Sequence, residues 1–373
     1  KLVPAGAAGL NTFVGDQAGA AMTTGIENTL IGGKAGDALT TGSQNIAIGT
    51  DALDAEDTGS RNIAIGYNSL KALNYDGNGY NVAIGFNAGK ALTGINNTLI
   101  GSIAGDALVA GDNNTVLGYN AMGAANGSES RNVAIGSNAL SAMDNAASNY
   151  NTAVGYDAGA AVTTGIANTI IGALAGDAMQ GASNNTALGF SAMGATTTGD
   201  LNVAIGDNAM LANTVGDRNV AVGSGALYTM NPASNVDMFN TAVGFNAGYA
   251  VTTGVSNTLI GGGAGDSITT GDYNTAIGFS ALSTNTAGNS NTAGGYNALY
   301  ANTSGDYNTA TGHMALYLNT SGDYNSAFGM MALKANTTGI RKLAIGYGAY
   351  DAADTENDNL SIGYDALGGS ING

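Results

Sequence analysis

The chain has 373 residues, 44% of them hydrophobic, and a formal net charge of −17 from 27 acidic and 10 basic side chains. Such an acidic excess argues against nucleic acid, which demands Lys and Arg facing phosphate, and against an anionic membrane surface. There is no cysteine, which excludes thiolate metal sites and a disulfide scaffold, and no apolar run approaches the ~18 residues of a spanning helix.

Glycine contributes 60 residues and proline 2, Pro4 and Pro232, a balance suited to small buried side chains and an uninterrupted ladder of backbone hydrogen bonds. The opening Lys1-Leu2-Val3-Pro4-Ala5 is too short for a secretory signal, so the chain reads as processed or as part of something longer. Residues 1–10 read as a lead-in and residues 11–373 as one repeat domain. There the string Asn-Thr-Ala-Ile-Gly, or a near variant, recurs 21 times, most often 17 residues after the last. It opens at Asn11, Asn28, Asn45 and Asn62 and persists to Asn325, Lys342 and Asn359. This predicts an all-β fold, a parallel β-solenoid of 21 turns that each pack only on their neighbours. At about 4.8 Å per turn such a stack would span on the order of 100 Å.

Counted from its Asn, each position of a turn has a physical reading. Position 1 is Asn in 20 of 21 turns, Asn45, Asn62, Asn202, Asn274 and Asn308 among them, and predicts a ladder of stacked amides. Positions 2 to 4 have strand propensity. Position 5 is Gly in every turn, as at Gly49, Gly66, Gly206 and Gly278, and position 15 is usually Gly, as at Gly25, Gly42 and Gly305. Two glycines per turn predict two corners where φ is positive or no side chain fits. A second short strand is expected around position 8, which is Ala everywhere except Ser69.

Positions 9 and 12 compensate for one another. Gly36 is followed by Leu39 and Gly265 by Ile268, whereas Leu282, Leu299, Leu316 and Leu333 precede Asn285, Asn302, Asn319 and Asn336. Leu30, Leu99, Ile170 and Leu259 at position 3 all fall in turns with Gly at position 9. Constant volume places positions 3, 8 and 9 or 12 in a narrow interior. Strand alternation then turns position 4 outward. It is bulky and apolar in 19 of 21 turns, including Ile48, Ile65, Ile205 and Ile277. Either the coil encloses both faces or this column is an oligomer seam. Seventeen residues make a small circuit, which favours the seam, and a three-fold bundle would bury it most symmetrically.

Asp recurs at position 16 (Asp112, Asp200, Asp217, Asp272, Asp306 and Asp323), either as solvated turn residues or as a calcium row; no other cofactor is indicated. Position 17 carries Tyr80, Tyr150, Phe239, Tyr273, Tyr307 and Tyr324, suited to stacking on sugars, on a protein receptor or on each other. The sole histidine, His313, shares position 6 with Tyr67, Tyr119, Phe245 and Tyr296 and reads as one more ring in that row. No catalytic constellation can be built on it. The run Gly261-Gly262-Gly263-Ala264-Gly265 lacks the Lys-Ser/Thr of a phosphate loop. The chain reads as no enzyme.

Along the chain four super-repeats follow one another, 11–80, 81–150, 151–239 and 240–373. Three end in stretched segments, at Leu73–Tyr80, Met143–Tyr150 and Tyr228–Phe239. Loops that interrupt one edge of a solenoid often form its binding face. Tyr75, Tyr80, Met230, Met238 and Phe239 therefore join Tyr273, Tyr307 and Tyr324 as binding candidates.

Asn132-Val133-Ala134-Ile135-Gly136 and Asn202-Val203-Ala204-Ile205-Gly206 resemble the head repeat of trimeric autotransporter adhesins, the YadA-like left-handed parallel β-roll. The forms at Asn274–Leu282, Asn308–Leu316 and Asn325–Leu333 also resemble repeats of phage tail-fibre shafts. The likeness covers residues 11 to 373 and implies a homotrimer, extracellular, on a cell surface or on a virion, that works in attachment. The period is longer than in those heads, and no coiled-coil stalk or membrane anchor accompanies it. Two functions follow: a non-enzymatic fibre shaft that contacts a host or surface through glycans or a protein receptor, and a structural subunit that stacks end to end into an extracellular filament. An ice-binding face on the Thr-Thr corners is disfavoured, because adjacent residues do not share a face.

Overall fold

The structure, a computed structural model, describes residues 9–145, 147–352 and 356–368. Residues 1–8 of the lead-in and 369–373 of the last super-repeat lie outside that range. The fold is all-β, a parallel β-solenoid with no helix among the described residues. It divides into two compact units, one ending at Asn185 and one beginning at Thr186.

In the first unit ten three-residue strands, from Thr12–Val14 to Thr169–Ile171, pair in parallel, each with the next. In the second, eleven strands from Thr186–Leu188 to Leu360–Ile362 do the same. The register is position for position: Ile46 pairs with Ile63, Ala47 with Ala64 and Ile48 with Ile65. Like residues therefore stack on like, and any side chain able to bond or pack against itself does so turn after turn.

Each strand stops at position 5, where Gly adopts φ between +127° and +146°, a region closed to side chains. A Cβ on Gly278 would also lie 2.5 Å from the carbonyl oxygen of Gly295. Position 15 is glycine for the second reason alone. Gly42 has no positive φ, but a Cβ there would lie 2.2 Å from the Gly59 carbonyl oxygen.

The second strand expected around position 8 is absent from the described turns. Positions 7 and 9 both take φ near +55°, as in Asp51 (54°) and Leu53 (55°), which breaks an extended chain. The ladder nevertheless continues through this bent segment. Asp51 N–H donates to Gly33 O at 3.0 Å and Leu53 N–H to Ser69 O at 3.0 Å. Burial offsets the cost of left-handed backbone at Leu53, Leu282 and Leu316, all fully enclosed.

The interior is a thin column of small side chains. Ala at positions 3 and 8, such as Ala47, Ala52, Ala276 and Ala281, is inaccessible to solvent. Where position 9 is Gly, a leucine at position 3 takes the space. A Cβ on Gly248 or on Gly265 would lie 2.7 Å from Leu259 methyls. One side chain thus occupies the room left by two glycines in adjacent turns. Position 4 points the other way and lies outside this column.

Candidate functional site

Most polar groups along the coil are spent on its own stacking. At position 1 the Asn45 backbone N–H donates to Asn28 Oδ1 at 3.0 Å, Asn45 Nδ2 to the same oxygen at 3.3 Å, and Nδ2 again to Gly59 O at 2.9 Å. Asn62 repeats the first two bonds on Asn45, and in the second unit Asn274 and Asn308 follow the pattern. Asn202 donates to Gly216 O at 2.9 Å. The Nδ2 and the Oδ1 of each of these buried amides have a partner, as burial of a polar group requires.

A second amide ladder runs beside the first. Asn302 Nδ2 donates to Asn285 Oδ1 at 3.0 Å, Asn319 to Asn302 at 2.9 Å and Asn336 to Asn319 at 2.8 Å. Each also bonds its own position-15 carbonyl, as Asn302 does to Gly305 O at 3.0 Å. Volume arguments treat these position-12 residues as filler. Their recurrence in four successive turns was the signal of a ladder.

The acidic row at position 16 is likewise occupied. The Oδ1 atoms of Asp112, Asp272 and Asp323 accept the backbone N–H of Ile95, Val255 and Asp306 at 2.7–2.8 Å. Ser43 and Ser60 serve in the same place. No group of three or more His, Cys, Asp or Glu able to hold a metal ion occurs among the described residues.

What remains outward falls into three rows. The position-4 column is half-buried at Ile48, Ile65 and Ile205 and exposed at Ile277 (49%) and Ile362 (63%). At position 6 the rings of Phe279, Tyr296 and His313 stack with centroids 5.7 and 5.2 Å apart, so His313 stands within an aromatic row. At position 17 Tyr307 and Tyr324 stack at 5.0 Å and nearly parallel, which covers one face of each ring. Tyr273 is exposed and forms no such stack among the described residues.

The loop candidates separate sharply. Met230 and Met238 are 0% and 1% exposed and offer no surface. Their thioethers fill the core where the long loop rejoins the coil: Met238 Cγ lies against Gly216, and Gly216–Asp217 pairs with Val236–Asp237. Tyr75, Tyr80 and Phe239 are exposed.

Each loop has a tether. Buried Glu56 accepts the N–H of Gly59 at 2.7 Å and of Tyr75 at 3.2 Å, and burial pushes its pKa above the ordinary carboxylate range. Buried Glu129 accepts Gly127 N–H at 3.0 Å and Asn145 N–H at 3.1 Å. All four arginines of the chain occupy position 17, three in the turn before a loop and Arg341 two turns before the last. Arg61, Arg131 and Arg218 lie over the rings of Tyr80, Tyr150 and Phe239 at 5.5, 5.4 and 5.9 Å. This pairing went unread in the sequence because the insertions hide the common position.

Chemically the surface can pack, stack and pair charges. No protein-family model matches the chain, and no curated protein is detectably similar to it.

Proposed function

We propose that this chain is the shaft of a non-enzymatic attachment fibre, extracellular or on a virion, assembled as a homotrimer along its Ile/Val column. The observation that carries the reading is the position-4 column. In a coil that spends its polar groups internally, an unbroken row of aliphatic side chains from Ile31 to Ile171 stays outside the core. A patch of that kind is stabilised by burial against a partner, and a three-fold axis lets each copy present the same surface. The exposed rings and loops beside it supply contacts to a surface glycan.

Sedimentation equilibrium tests the assembly. The chain is expected to sediment at three times 36.6 kDa, and the Ile48→Asp/Ile65→Asp/Ile205→Asp/Ile277→Asp variant at the single-chain mass. A wild-type chain that sediments as one copy rejects the trimer. Glycan-array binding that disappears in Tyr80→Ala/Phe239→Ala supports attachment through the loop edge.

A further inference from the structure

Within a chain of 27 acidic and 10 basic residues, an arginine would be expected to find a carboxylate. Arg218 and Arg341 do, pairing with Asp237 at 2.6 Å and Asp358 at 2.5 Å. Arg61 and Arg131 form no ion pair among the described residues. They are held instead by neutral groups. Arg61 Nε donates to Gln44 Oε1 at 2.9 Å and Nη1 to Tyr80 Oη at 2.6 Å. Arg131 Nη1 donates to Ser148 Oγ at 2.6 Å and to Tyr150 Oη at 3.0 Å. In both, Nη2 makes no hydrogen bond among the described residues.

The surroundings of the two are alike. Both stand at position 17 with left-handed backbone (φ 64° and 62°), which sets the direction of the side chain. Each lies over one face of a tyrosine that is half or more exposed, Tyr80 at 50% and Tyr150 at 57%. From Gln44 to Asn184 the position-17 row contains no acidic residue. Asp112, beside it at position 16, has an oxygen committed to Ile95 N–H, and Asp76 in the first loop accepts the Thr58 hydroxyl at 2.5 Å. Four turns separate the pairs, a spacing of about 19 Å at about 4.8 Å per turn.

We infer that this edge of the first unit binds an acidic polysaccharide. Arg61 and Arg131 meet its anionic groups, and Tyr80 and Tyr150 meet its sugar rings. A guanidinium with free N–H groups bonds carboxylate or sulfate oxygens through charge-assisted contacts. An exposed ring beside it offers the apolar face of a pyranose a surface to pack on. Two such sites in line favour a polymer over a single sugar, since the second contact forms within an already bound complex. The inference rests on the attachment role proposed above and narrows its ligand.

Binding of the full chain to polygalacturonate, dextran sulfate and neutral dextran tests this by biolayer interferometry. The expected result is binding to an acidic polymer but not to dextran, weakening as salt rises. Arg61→Gln/Arg131→Gln should lose tenfold or more in affinity, whereas Arg218→Gln/Arg341→Gln should change it less than threefold. Preference for polygalacturonate over dextran sulfate would identify uronate as the anionic group, and the reverse would identify sulfate. An Arg61→Gln/Arg131→Gln variant with unchanged binding overturns the inference. Binding of neutral glycans only overturns it while leaving attachment intact, and binding of no glycan defeats both.

Discussion

At the scale of single residues, the position-1 asparagine joins three backbones with one side chain. Asn308 Oδ1 accepts the N–H of Asn325 at 3.0 Å and its Nδ2 at 3.1 Å, while Asn308 Nδ2 reaches Gly322 O at 2.8 Å. Aspartate lacks the donors, and glutamine is too long for the fixed register. Asn308→Ala should therefore leave buried donors and acceptors unpaired, at a cost of roughly 3 kcal/mol. Hydrogen exchange at the Asn325 amide should accelerate by about two orders of magnitude, while amides several turns away stay protected. Unchanged protection at Asn325 would contradict this account of the ladder. Lys342 shows how the row tolerates an exception: it is 2% exposed, with its ammonium 4.7 Å from the Tyr350 ring centroid. The position-1 ladder is legible in sequence because Asn recurs at a fixed spacing where nothing apolar substitutes. The position-12 ladder is harder to read, since Leu39, Met179 and Asn302 all occupy that site. Hydrogen-bond direction, not volume, distinguishes the last.

At the scale of elements, the turn is a three-residue strand followed by a bent ladder, and the loops are extensions locked onto it. Gly and Asn patterning locates the strand and the corners but not the left-handed backbone at positions 7, 9 and 17, where residues as different as Asp51, Leu53 and Arg61 share one φ. That conformation is imposed by stacking on the next turn, so no local propensity reveals it. The loop ending at Tyr80 depends on Glu56 beneath it. Glu56→Ala would strip the Tyr75 and Gly59 N–H groups of their acceptor, and limited proteolysis should then cut between Leu73 and Tyr80 several-fold faster. Cleavage at the wild-type rate would show that Arg61 and Tyr80 alone hold the loop. Met230 and Met238 teach the converse lesson. Apolar residues in an insertion read as exposed contacts, yet the insertion folds back and buries them.

At the scale of the whole molecule, charge and burial act in one direction. Asp54 is pushed up to about 6 by burial and by the neighbouring Asp37 carboxyl, and burial raises Glu56, Asp106, Asp177 and Asp217. The fold holds these protons more tightly than the unfolded chain, so their contribution is complete below the unfolded values of about 3.9–4.3 and declines as pH rises through the folded ones. Asp358 runs the opposite way, lowered by Arg341, but an exposed pair contributes little. Protonation also relieves the self-repulsion of a net charge of −17. Tm should accordingly rise between about pH 7 and pH 5, and a lower Tm at pH 5 would refute the balance. The sequence by itself determined the period, the parallel stacking, the glycine corners and the outward Ile/Val column, because a 17-residue repeat presents every position to its own copy. Only the tertiary structure decided which rings cover one another, which methionines are buried and which arginines pair with a carboxylate. Those outcomes depend on side chains 17 to 21 residues apart meeting across turns, where an insertion changes the spacing but not the neighbour.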